Sequence, residues 1–189
     1  DTDFGAVTWT MGTDGTFVGD AGADHKLTIA TGLGTFKLGN SGDSANAVDD
    51  ITPTAFEEAN GAGSGSYKDF GAGMDGSMSV GYNMASILGG PISLDYTYYP
   101  KLDGTTNNEK GASGSKATTF GSAQSANVKI DAAGVPGVGS TPLAALKLTI
   151  GYEHANSQSE KFTEKEGATI AANYAYGPMA FGYQLKRFN

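Results

Sequence analysis

Cysteine is absent from this chain, which rules out disulfide staples, thiolate zinc sites and thiol nucleophiles together. Long apolar runs are missing as well: no stretch of about 18 apolar residues occurs, so no membrane-crossing helix is expected. Only 39% of the 189 residues are hydrophobic and 29 are Gly, which is poor material for one thick globular core. Basic charge is short too. The 12 Lys and Arg are scattered, the net charge is -8, and a phosphate backbone would need a basic face, so nucleic acid is not expected as a partner. His25 and His154 stand alone without metal-ligand spacing, and no metal site is expected. Gly61-x-Gly63-x-Gly65 has no strand before it and no helix after it, so it is not a nucleotide fingerprint. The paired acids Asp49-Asp50 and Glu57-Glu58 would serve hydrolysis only in a concave pocket, and neither an enzyme nor a cofactor is expected. Nothing at Asp1 has the charged and then apolar layout of an export signal; the expectation is that such a signal has been removed or that the N-terminus is missing.

What is present is alternation. Nine segments place apolar residues at every second position, the period of a strand with two unlike faces. The first, Ala6 to Met11, sets Val7, Trp9 and Met11 against Thr8 and Thr10. The second and third set Leu27 and Ile29, then Phe36 and Leu38, against Lys26, Thr28, Thr35 and Lys37, with the tight Gly32-Leu33-Gly34 between them. The fourth, Ser77 to Asn83, carries Met78, Val80 and Tyr82, and the fifth carries Ile92, Leu94, Tyr96 and Tyr98 opposite Ser93, Asp95 and Thr97. Val128 and Ile130 mark the sixth, opposite Lys129, and Leu146, Leu148, Ile150 and Tyr152 mark the seventh, opposite Lys147. The eighth has Ile170, Ala172, Tyr174 and Tyr176; Gly177-Pro178 then turns the chain into a ninth with Met179, Phe181, Tyr183 and Leu185 opposite Lys186.

The connections run long, short, long, short, as in an antiparallel up-and-down transmembrane β-barrel with short turns at one rim and long loops at the other. Tyr and Phe gather towards strand ends, as aromatic girdles do at the two membrane interfaces. The mid-strand lysines Lys26, Lys37, Lys129, Lys147 and Lys186 all fall on the polar face; on a lipid-facing midplane each would cost roughly 2 to 4 kcal/mol. With Asp95, they are expected to line a water-filled bore. The alternative of a soluble β-sandwich predicts the same lysine placement, and fits an extracellular structural or adhesive fibre or surface-layer subunit.

The longest connection, residues 40–76, concentrates acidity. Asp43, Asp49, Asp50, Glu57, Glu58, Asp69 and Asp75 face the single Lys68. Thr54-Ala55-Phe56-Glu57 has capping-box spacing, and a short helix from Pro53 to Ala59 is expected. Folded into the barrel, this loop would set carboxylates against the wall lysines, and opposite charges on opposing walls make a transverse field that selects ions. A flexible solvated acidic loop is the plainer alternative.

The residues at this point resemble the general porins of Gram-negative bacteria, which are homotrimers of 16-stranded barrels in the outer membrane. Gly34-Thr35-Phe36-Lys37-Leu38-Gly39-Asn40 is similar to the strand phrase that leads into that family's constriction loop, although Asn40 stands where an arginine is common. Tyr174-x-x-Gly177-Pro178-x-x-x-Gly182-Tyr183 is a second shared phrase; the family's Pro-Glu-Phe-Gly-Gly loop core is absent. The resemblance implies a single, incomplete barrel domain over residues 1–189, corresponding to strands three to eleven, with residues 40–76 as its constriction loop. It implies passive diffusion of ions and small hydrophilic solutes, with outer-membrane lipid around the barrel, and the acidic loop, which outweighs the nearby lysines, adds a mild preference for cations. A small complete barrel of eight or ten strands is the other option, though its filled interior could not hold so long a loop.

Overall fold

The computed structural model describes residues 5–11, 25–40, 42–48, 51–53, 78–102, 120–157 and 164–189. They form one antiparallel sheet of nine strands in sequence order: β1 (Ala6–Met11), β2 (His25–Thr31), β3 (Gly34–Gly39), β4 (Ser79–Met84), β5 (Ile92–Tyr99), β6 (Phe120–Asp131), β7 (Leu146–Ser157), β8 (Lys165–Tyr176) and β9 (Met179–Phe188). Every strand pairs only with its neighbours in sequence, so the meander is complete from β1 to β9, and β1 and β9 do not close on each other. The expected helix from Pro53 to Ala59 lies outside the described residues except for Pro53.

Register follows the alternation. Directly opposite residues share a face, and an apolar row crosses the sheet through Met84, Leu94, Val128, Ile150, Ile170 and Leu185. The next polar row runs through Asn83, Asp95, Asn127, Gly151, Thr169 and Lys186. A slip of one residue anywhere would exchange the two faces, so the pattern pins every pairing.

The longest strands extend past their sequence signal. β6 begins at Phe120, β7 runs on to Ser157 and β8 starts at Lys165. There the apolar-face positions hold Gln124, His154, Asn156 and Glu166, so alternation disappears while backbone pairing continues, as in Gln124↔His154. The rhythm of connections also shifts along these strands: the turn between β6 and β7 spans residues 132–145, with 3-10 turns at Ala132–Gly134 and Pro142–Ala145, whereas the connection from β7 to β8 at the other rim shrinks to residues 158–164. The β8–β9 hairpin is tight. Gly177 takes φ +57 at its first central position, open to Gly without a Cβ penalty.

Burial is inverted relative to a soluble sheet. Trp9 is 61% exposed, Phe181 54% and Tyr183 67%, while Thr97, Ser125 and Glu153 are each 1% exposed. The apolar face has no protein layer over it among the described residues. A small apolar cluster, Tyr99, Leu102, Ala123 and Ala155, is buried instead on the polar side near the long-loop rim.

Candidate functional site

What buries the polar face is the start of the acidic loop. Residues 42–48 and 51–53 lie across the polar side of β5 to β9, with Ala45 and Val48 fully buried beneath them. The root is fixed first: the Tyr99 hydroxyl donates to the Gly42 carbonyl at 2.7 Å. Asp43 then turns the chain. Its Oδ1 accepts the Ala45 amide at 2.9 Å and its carbonyl accepts the Ala47 amide, starting the 3-10 turn Asn46–Val48. Among the acids expected to face the bore, Asp43 is therefore a buried local cap, in the manner of an Asx turn.

Ser44 is the hub of the docked segment. Its hydroxyl lies 2.6 Å from Asp95 Oδ1 and 2.7 Å from Thr97 Oγ1. A serine has one proton to give, so Ser44 donates to the carboxylate and accepts from Thr97. Its amide donates to Ser125 Oγ at 3.0 Å, and its carbonyl accepts the Asn127 side-chain amide at 2.6 Å. Asp95 also accepts from Asn83 Nδ2 at 3.0 Å and faces Lys37 Nζ at 3.8 Å. With both partners a quarter exposed, the ion pair is a minor contributor; the short bonds to the ionised carboxylate are the stronger part.

Gln184 of β9 holds the far end. Its Nε2 donates to the Val48 carbonyl at 3.1 Å and to Thr169 Oγ1 at 2.9 Å, while Oε1 accepts the Ile51 amide at 3.4 Å. Asn173 of β8 adds a bond to the Ile51 carbonyl at 3.1 Å. Two glycines make room. A Cβ on Gly151 would stand 2.8 Å from Val48 Cγ2, and one on Gly182 would stand 2.4 Å from Pro53 Cδ. A side chain at a mid-strand glycine ordinarily strengthens a strand, but here it strikes the seated loop. Gly151→Val is expected to lower stability by about 1–3 kcal/mol through overpacking, seen as an earlier unfolding transition in detergent; a later transition would mean that the loop is not seated there.

The wall residues fare differently from one another. Lys37 and Asp95 are brought together. Lys26 stands opposite Thr10 and Gly39, and Lys186 opposite Thr169, both on the polar face. Lys129 and Lys147 are exposed at the short-turn rim, away from the docked segment, where they help line a cavity of about 490 Å³. Asp49, Asp50, Glu57, Glu58, Asp69 and Asp75 lie outside the described residues, although their neighbours Val48 and Ile51 are anchored to one glutamine. Both histidines are on the apolar side: His25 stacks on Trp9 with ring centroids 6.1 Å apart, and His154 Nε2 lies 3.3 Å from Glu164.

Reasoning from charge missed the residues that do most of the holding, namely Ser44, Tyr99, Ser125, Asn127, Asn173 and Gln184. A signal was there. Asn and Gln are poor occupants of a strand centre, and amides recurring at polar-face positions mark places where foreign backbone docks. Comparison with protein-family models, with curated proteins and with solved structures gave no match.

Proposed function

We propose that this chain forms the wall and constriction of a water-filled outer-membrane channel that passes ions and small hydrophilic solutes, with a mild preference for cations. The observation that carries the reading is the inverted burial: large apolar side chains stand outward across nine strands while hydroxyls, amides and carboxylates face a loop tucked against the other side. A contiguous apolar face this wide is unstable against water. Acyl chains cover it without a second protein layer. Along β8 the outward residues from Ala168 to Tyr176 span about 27 Å at ~3.4 Å per residue, or roughly 20 Å once a tilt of about 40° is allowed for, close to the ~25 Å apolar band of a membrane barrel.

The polarity of the outward positions changes where such a band would end. Beyond Tyr152 come His154 and Asn156 on β7, beyond Ala168 comes Glu166 on β8, and beyond Leu185 comes Arg187 on β9. The Tyr152 hydroxyl reaches back to Glu166 at 3.4 Å, as an amphipathic ring does at an interface. Assembly as a homotrimer belongs to the same reading and rests on the shared strand phrases alone. Cation preference is assigned to Asp49, Asp50, Glu57, Glu58, Asp69 and Asp75, which outnumber the nearby lysines.

Purified chain in a planar lipid bilayer is expected to give stepwise conductance. Changing Asp49, Asp50, Glu57 and Glu58 together to Asn or Gln is expected to move the reversal potential in a salt gradient towards zero. A silent bilayer together with monodisperse protein in detergent-free buffer would instead favour a fibre or surface-layer subunit.

A further inference from the structure

The short-turn rim carries a second charged feature, and it is of opposite sign to the acidic loop. Lys129 of β6 and Lys147 of β7 occupy diagonal positions on the polar face, because Lys129 pairs with Thr149 and Lys147 with Asp131. Diagonal neighbours on adjacent strands lie about 7–8 Å apart, within joint reach of one small ligand for side chains as long as lysine. Both line the 490 Å³ cavity, together with Ser93 and Thr149, whose hydroxyls can donate, with Asp131, and with Pro91 and Gly134 of the two turns.

One described carboxylate shares the hollow. Asp131 stands directly across from Lys147, yet its Oδ1 accepts the Ala133 amide at 3.1 Å and caps the 3-10 turn Ala132–Gly134. Neither ammonium forms an ion pair with a described carboxylate, in contrast with Lys37 on Asp95. The sheet therefore holds two cations without an ion pair, one carboxylate tied to a backbone amide and two hydroxyls around one open hollow.

We propose that this hollow is a binding site for a small oxyanion, of which inorganic phosphate is the simplest. Two ammonium groups neutralise its charge and the Ser93 and Thr149 hydroxyls complete its oxygen contacts. The site's place on an inner mouth rests on the channel reading above, but its chemistry does not. If that reading holds, anions excluded by the acidic loop gather at the other rim, and the pore passes current asymmetrically in phosphate.

The test is calorimetric titration of inorganic phosphate into the detergent-solubilised full chain at low ionic strength, beside the Lys129→Gln/Lys147→Gln and Lys129→Arg/Lys147→Arg double variants and a Lys26→Gln control. Phosphate is expected to bind the parent, the Arg pair and K26Q with similar affinity. The Gln pair is expected to bind at least about tenfold more weakly, with unchanged circular dichroism. Equal binding by the Gln pair, equal weakening by K26Q, or no binding by the parent overturns the site. Bilayer conductance is recorded on the same samples: conductance without phosphate binding removes this site and leaves the channel, whereas phosphate binding without conductance removes the channel and leaves the site.

Discussion

Lysine in place of Ile150 is expected to destabilise the bilayer-inserted chain by about 2–4 kcal/mol. Ile150 sits at the centre of the apolar row, flanked by Val128 and Ile170, and is 48% exposed, so no packing cavity accounts for a loss of this size. The cost arises because an ammonium at mid-depth must leave water for hydrocarbon. Thr8→Lys, on the other face of β1, is the comparison, and it is expected to change stability by no more than about 0.5 kcal/mol. Trp9 is the chain's single tryptophan and reports insertion, so urea titration in lipid vesicles by fluorescence reads both variants. Equal effects of I150K and T8K would mean that lipid does not cover the apolar face.

Removing the two amides that clamp the loop is expected to have the largest functional effect. In the Asn127→Leu/Gln184→Leu double variant, the carbonyls of Ser44 and Val48 and the amide of Ile51 lose the partners seen at 2.6, 3.1 and 3.4 Å. Each buried backbone group left unpaired costs about 1–3 kcal/mol, enough to move the docked-to-released ratio of the segment by about ten- to a hundredfold per bond. Single-channel conductance should rise and larger sugars should enter proteoliposomes, while the strands, whose ladder bonds are untouched, stay folded. Conductance unchanged from the parent, with the double variant folded, would mean that the docked segment does not set the aperture.

The Ser44 hub makes a graded version of the same experiment. Ser44→Ala removes the bonds to Asp95 and Thr97 but keeps the Asn127 and Ser125 contacts, which are made to the backbone of residue 44. Asp95 retains Asn83 and Lys37, so its charge is not stranded. The loop therefore loosens at one point while the wall keeps its electrostatics, and the expected change in conductance is smaller than for the amide pair.

The strands were legible in the chain because their signal is local. A period of two in residues such as Leu146, Leu148 and Ile150 needs only neighbours in sequence to be read, and it determined nine strands, their antiparallel order and which face each side chain joins. It also placed Lys26, Lys37, Asp95, Lys129, Lys147 and Lys186 on one side. The reach of β6, β7 and β8 was not legible, because Gln124, His154 and Glu166 carry no apolar alternation although backbone pairing continues through them. Where the loop goes was decided only in three dimensions. Ser44 meets Asp95 across 51 residues and Val48 meets Gln184 across 136, and nothing in either local stretch encodes the other. The same holds for charge: the sequence sets the number of lysines, but the diagonal register of β6 on β7 brings Lys129 beside Lys147, and the turn after Asp131 ties one oxygen of its carboxylate to the Ala133 amide.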